Sequence, residues 1–197
     1  MPEGTEQRRS YRKGIERRQQ ILDSAICLFA ERGVDGASLR SVGESIGVSH
    51  AALRHYFSSR DELLVEVYRE HEDRVQVDAP PAEGAVEEIA RSADRNREVP
   101  GLVQLYSTLT ADALQEQHAQ TREFVRQRFA RVRADLAAKI AEGQREGRID
   151  ASVDASDAAS LVIAASDGLQ VQWLLDPGTV DVRRSLELLE RLLPSGS

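Results

Sequence analysis

Cysteine is almost absent from this chain, and Cys27 is its sole representative. No intrachain disulfide can therefore form, and no zinc site built on thiolates is available. Cys27 lies on an amphipathic stretch, where a buried, inert thiol is expected rather than a redox sensor. Lysine is nearly missing too. Only Lys13 and Lys139 occur, so every other basic residue is Arg, a bias that the coding genome explains as readily as phosphate binding does. No apolar run approaches the roughly 18 residues of a membrane span. The polar, Arg-rich N-terminus has no apolar stretch behind it, so neither a signal peptide nor a membrane partner is expected. GxSxG, glycine-rich phosphate loops and HExxH are all lacking, and the plentiful Asp and Glu fall at solvent-facing helical spacing; the chain is not expected to be an enzyme. His71 and His118 have no companions at ligand spacing, so no metal and no cofactor is expected. A reducing cytoplasm fits these absences.

What is present is a foldable composition. The 197 residues are 41% apolar and 30% charged, enough for a packed core in one or two small domains. Charge is uneven. Residues 1–60 hold ten Lys and Arg against seven Asp and Glu; the remainder holds sixteen against twenty-six. A basic head on an acidic body points to a polyanionic partner at the N-terminal end, although differences this small also arise by chance. Residues 1–14 lack hydrophobic periodicity and read as a flexible basic arm. With Arg8, Arg9, Arg12, Lys13, Arg17 and Arg18 close together, this end suits phosphate attraction or minor-groove contact, or is a plain solvated tail.

Helical periodicity follows. Ile21, Leu22, Ala25, Ile26, Leu28 and Phe29 recur at helical spacing until Gly33. Ser38 caps the next segment, in which Leu39, Val42 and Ile46 share one face. Gly47-Val48 form a break, and Ser49 caps a second short helix with Leu53 and Phe57 inward at i and i+4. Ser59-Arg60-Asp61-Glu62 fits a capping box with Ser59 at N-cap and Glu62 at N3. That helix carries Leu63, Leu64, Val67 and Val75 and ends near Val77, before Asp78-Ala79-Pro80-Pro81. Further helices are expected near 83–96, 99–117, 121–146, 154–175 and 180–193, with a turn at Asp176-Pro177-Gly178. No alternating β-branched run is long enough for a strand, and no internal repeat occurs. The expected class is all-α, with about nine helices.

Residues 38–57 describe two short helices joined by a tight glycine-containing turn, the helix-turn-helix pattern. Leu39, Val42, Ile46, Val48 and Leu53 can pack a small core against the preceding helix. His50, Ala51, Arg54 and His55 are then left projecting from a rod that fits the major groove of B-DNA. Small residues at its start (Ser49, Ala51, Ala52) allow close approach to bases. Hydroxyls and helix-end N–H groups at Ser38 and Ser49 suit phosphates, as does Arg60 at the start of the next helix.

The stretch SLRSVGESIGVSHAALRHYFSSRDELL resembles the DNA-binding segment of the tetracycline-repressor (TetR) family of bacterial regulators. The likeness covers about residues 15–65 and includes Phe29-Ala30-Glu31-Arg32-Gly33, the Ala52-Leu53 pair, the aromatic end of the second helix and the Arg60 to Leu64 start of the fourth. The resemblance implies a three-helix DNA-binding head and a larger helical body that binds ligand and dimerises. Carried over by position, it implies phosphate contacts at Ser38, Arg54, Tyr56 and Arg60. Base-facing positions fall on Arg40, Ser49, His50, Ala51 and His55. Two residues depart from the family pattern. Arg54 stands where tyrosine is frequent, and either strengthens phosphate binding or reads guanine. Gly43 stands where alanine is usual, and is expected to loosen its helix slightly.

The expected organisation is an arm at 1–14, a DNA-binding head at 15–60 and a ligand-binding, dimerising body at 61–197. In the body, Leu102, Val103, Leu105, Tyr106 and Leu109 sit beside Ser107, Thr108 and Thr110, apolar walls with hydroxyls that suit either a pocket or an ordinary core. His71, Leu102, Tyr106, Leu109 and Trp173 are the candidate ligand contacts, His71 being equally a core or surface histidine. Residues 161–175 are apolar almost all round and need cover on more than one side. With the amphipathic run Val182, Leu186, Leu189, Leu192 and Leu193, they suit a four-helix seam between two chains. Leu161, Ala165, Gly168, Gln172, Leu186 and Leu189 are its candidates. The expected function is a cytoplasmic, nucleoid-associated, homodimeric repressor of a pseudo-palindromic operator, released by a small-molecule effector. The alternative is a ligand-binding or adaptor protein that keeps the head without using DNA.

Overall fold

The computed structural model describes residues 3–32, 38–78 and 82–192, with side chains described for 14–29, 38–74 and 82–191. Among these residues there are nine α-helices and no strand: α1 (Glu3–Arg32), α2 (Leu39–Ser45), α3 (His50–Leu53), α4 (Arg60–Asp78), α5 (Ala85–Glu98), α6 (Leu102–Asp112), α7 (Ala119–Arg145), α8 (Ala155–Leu175) and α9 (Val182–Leu192). Gly33, Ala79, Pro80, Pro81 and Leu193, expected at helix ends, lie outside the described residues.

Two elements depart from expectation by more than two residues. Residues 1–14, read as an arm, are helical from Glu3, because Glu, Gln, Arg and Lys favour helix and no proline follows Pro2 until Pro80. α6 is shorter than 99–117. Gly101, with φ 78, sits in the left-handed region and starts the helix after the turn, while residues beyond Asp112 pass into turns that leave Leu114 84% exposed.

One core joins α1 to α4 with α6 and α7 through Ile21, Leu22, Phe29, Val42, Leu53, Phe57, Leu63, Leu64, Tyr68, Leu105, Leu109 and Phe124. α3 is only four residues long and would not form in isolation. It is held because Leu53 and Phe57 are fully buried, and burying a side chain of this size contributes about 1.5–3 kcal/mol. A second core gathers α5, α7, α8 and α9 around Val86, Leu136, Ile140, Val162, Val182 and Leu186. By length and composition alone α8 would pass for a membrane-crossing helix, unlike the expectation above. It packs instead against α5, α6, α7 and α9.

Cys27 is exposed, contrary to expectation. The buried face of α1 is set by Ile21, Leu22, Ala25, Leu28 and Phe29, and position 27 falls between them on the outer side.

Candidate nucleic-acid interface and body cavity

The turn from α2 to α3 is set by local hydrogen bonds. Ser38 Oγ accepts from the Ser41 N–H at 3.0 Å, and the Ser38 N–H donates to Ser41 Oγ at 2.8 Å, a reciprocal cap. Ser49 Oγ accepts from the Ala52 N–H at 3.2 Å. Gly47 has φ 66, which reverses the chain, and the Val48 N–H donates to the Gly43 carbonyl at 2.8 Å. Gly43 does more than loosen α2: a Cβ there would stand 2.6 Å from the Val48 carbonyl oxygen, so the turn is pressed onto bare backbone.

This frame leaves His50, Ala51, Arg54 and His55 exposed together, with Ser38, Arg40 and Ser49 also exposed. Arg40 is paired with Glu44 at 2.8 Å, both side chains largely in solvent. Tyr56 is partly buried and packs on the first core. Arg60 Nη1 lies 3.8 Å from Asp112 of α6. At the start of α4 Ser59 Oγ accepts from the Glu62 N–H at 3.0 Å, as expected; the Glu62 carboxylate also accepts from the Ser58 N–H at 2.6 Å. The residue before Glu62, Asp61, meets His118 Nδ1 at 2.6 Å.

The body holds a cavity of about 500 Å³ between α4, α5 and α7. Tyr68, Ile89, Val132 and Leu136 give it apolar walls; Glu72, Arg95, Asn96, Arg128 and Arg131 give it polar ones. His71 is buried on this wall, with Nε2 at 3.2 Å from Asn96 Oδ1, and burial lowers its pKa despite that hydrogen bond. Arg128 donates to Glu72 at 2.8 Å and to Tyr106 Oη at 2.9 Å, and its guanidinium lies over the Tyr106 ring at 4.4 Å. Tyr106 stacks on Tyr68 at 5.1 Å, and burial raises the Tyr68 hydroxyl to about 12. A second, much smaller pocket shares Tyr68, Asn96, Arg128 and Val132 with this cavity and is also lined by Tyr106, Ser166, Asp167 and Gln170.

Of the expected ligand contacts, His71 lines the cavity and Tyr106 the smaller pocket beside it. Leu102 and Leu109 do not, because the apolar face of α6 is spent on the first core; Trp173 stands apart, partly buried beneath Arg97 at 5.7 Å. Glu72, Arg128 and Asp167 were missed. Glu72 and Asp167 turn inward, against the expectation that acidic residues face solvent, and Arg128 turns inward with them. The only signal was an ionic residue at an otherwise apolar helical position.

On α8, Leu161, Gly168 and Gln172 are exposed, whereas Ala165 is partly buried against the second core. Leu186 is fully buried within that core, so it is no seam residue, and Leu189 packs on the same core. The continuous exposed stripe is Leu161, Ala164, Gly168, Val171 and Leu175, at alternating spacings of three and four.

Comparison with known proteins gives two family matches: bacterial regulatory proteins of the tetR family over residues 21–67, and the C-terminal family of BetI-type transcriptional repressors over residues 81–195. The chain belongs to the TetR family. It is a DNA-binding transcriptional regulator. Among relatives, it is 28% identical to the transcriptional regulator PksA of Bacillus subtilis, over 86% of this chain and 84% of that one. To the regulator TtgR of Pseudomonas putida it is 27% identical, over 91% and 90%. Its fold matches a transcriptional regulator from Saccharomonospora viridis solved with choline, with a TM-score of 0.71 at 23% identity, over 90% of this chain and 95% of that one. Among the described residues of this TetR-family chain, no group of His, Cys, Asp and Glu is placed to hold a metal ion.

Proposed function

We propose that this regulator is a homodimeric repressor, with a head at 15–60 and a body at 61–197, that grips a pseudo-palindromic operator and releases it when a small molecule fills the body cavity. The observation that carries the reading is α4. One helix bears Arg60 beside the recognition segment and, eleven residues on, His71 and Glu72 at the cavity. At 1.5 Å per residue these points are roughly 16 Å apart along a single rod. A ligand that prefers one tilt of this rod changes the separation of two heads that must fall about 34 Å apart on DNA. It weakens binding only by its differential affinity for the two states.

In this reading His50, Ala51, His55, Arg40 and Ser49 face bases. Ser38, Tyr56 and Arg60 hold phosphates, and Arg54 does one or the other. The α8 stripe supports the homodimer, since an apolar heptad-like face in solvent is a seam awaiting a partner helix. Such a protein acts in the cytoplasm, on the nucleoid.

Fluorescence anisotropy with genomic duplexes tests the reading. Binding is expected to fall steeply with salt. Arg60→Ala should weaken binding to all sequences alike and reduce the salt slope by about 1. His50→Ala and Arg54→Ala should change the selected consensus, and an unchanged consensus from both would refute the base-reading face. A full chain that shifts no duplex at low salt would favour the adaptor alternative.

A further inference from the structure

Arg95 of α5 lines the cavity without a hydrogen-bond or ion-pair partner among the described residues, and its Nε–H is buried with no acceptor. An unmatched guanidinium N–H inside a folded chain calls for an explanation, and a ligand that completes it is one. The other cations on the wall are already matched. Arg128 and Arg131 both hold Glu72, at 2.8 and 2.9 Å, and Lys139 stands 3.8 Å from Glu88. Asp135, the third carboxylate of the wall, is exposed, where water screens it. The lining thus carries four Lys and Arg against three Asp and Glu, and His71, whose pKa burial lowers, adds no charge.

The geometry points to an organic anion as the effector: one carboxylate pairing with the Arg95 guanidinium, and an apolar body lying along Tyr68, Ile89, Val132 and Leu136. A planar guanidinium suits a carboxylate because two parallel N–H groups reach both oxygens. A cationic ligand is disfavoured by the same wall, since Glu72 is engaged by two guanidinium groups and Arg95 would be left facing a like charge. This inference rests on the cavity being the effector site proposed above.

Calorimetric titration of the full chain tests it with two matched series, decyl and 3-phenylpropyl, each bearing a carboxylate, a carboxamide or a trimethylammonium head. In at least one series the carboxylate should bind tenfold or more tighter than both other heads. Arg95→Gln should abolish that preference while the empty variant melts no lower than the wild type, because it removes an unmatched cation. Equal or tighter binding of the amide or the ammonium overturns the anion assignment and leaves the cavity as the effector site. A carboxylate preference that survives Arg95→Gln, or an empty variant that melts lower, overturns Arg95 as its anchor. No binding by any member overturns the cavity as effector site as well.

Discussion

The Asp61 carboxylate meets His118 Nδ1 at 2.6 Å, tying the first turn of α4 to the segment that leads into α7. Arg60 reaches Asp112 beside it, at 3.8 Å, so both ties fasten the start of α4 to the body end of the molecule. Both members of the Asp61–His118 pair keep only about a fifth of their side-chain surface exposed, 19% and 21%, so the contact is partly shielded from water. A hydrogen bond to a charged group contributes about 1.5–3 kcal/mol. Asp61→Asn and His118→Ala are each expected to lower stability by about 1–2 kcal/mol, with the double variant losing less than the sum. They should also alter operator affinity without altering the preferred bases. Denaturant titration of the cycle measures the coupling, and strictly additive losses would show that the two side chains do not act as a pair.

Gly43 carries a second prediction. Replacing glycine by alanine in a helix ordinarily gains up to about 1 kcal/mol. Here the new methyl would meet the Val48 carbonyl oxygen at 2.6 Å, and that oxygen is backbone, unable to swing aside as a flexible side chain would. Overpacking of this kind costs about 1–3 kcal/mol, so it outweighs the propensity gain. Gly43→Ala is expected to lower the melting temperature by a few degrees, at about 2–4 °C per kcal/mol for a chain of this size. It should weaken DNA binding by shifting α3 relative to α1. A variant that melts higher than the wild type would show that the turn relaxes freely.

The helix-turn-helix was legible in the sequence because its determinants are local. Ser38, Gly47 and Ser49 fix ends and turn within a few residues, and Leu53 and Phe57 report one buried face. The cavity was not. Glu72, Arg95, Arg128 and Asp167 sit on four different helices, and periodicity says which side of a helix is apolar but not which ionic residue another helix will cover. The same gap misplaced Leu102, Leu109 and Leu186. Each lies on an apolar face, yet which neighbour covers that face is settled by inter-helix packing, and the α5 to α9 packing buries Leu186.

Asp167 gives the protein a pH-dependent term. Burial pushes its carboxyl up to about 6, against the Arg128 charge and the Tyr106 hydroxyl, which donates to it at 3.3 Å. The unfolded value is about 3.9, so the folded state holds this proton more tightly than the unfolded one. The stabilisation is fully present below the unfolded value and is lost as pH rises through about 6. At neutral pH the buried charge then costs up to about 3 kcal/mol relative to the protonated form. Asp167→Asn keeps an acceptor for Tyr106 and removes the charge. It is expected to be more stable than the wild type near pH 7.5, by about 1–3 kcal/mol, with the advantage shrinking toward about pH 4. Urea midpoints across that range check it, and a difference that does not change with pH would mean that Asp167 ionises as it would in water.

The stripe on α8 makes the last prediction and separates a seam from a merely exposed face. Leu161 and Leu175 are 64% and 82% exposed, and a Cβ on Gly168, midway between them, would meet nothing within 4 Å in the single chain. In a monomer Gly168→Ala should therefore be harmless or stabilising by up to about 1 kcal/mol, since helix propensity is the only term in play. In a dimer whose helices cross at the glycine, the same methyl holds them apart. Gly168→Ala is accordingly expected to weaken self-association while leaving helix content and the monomer's unfolding midpoint unchanged or improved. Leu161→Asp with Leu175→Asp should abolish association outright, because each carboxylate would have to be buried at the seam. Sedimentation equilibrium at micromolar concentration reads both. Loss of association in the double variant with none in Gly168→Ala would place the crossing away from Gly168, and a wild-type chain that sediments as a monomer would remove the seam, and with it the fixed spacing of the two heads.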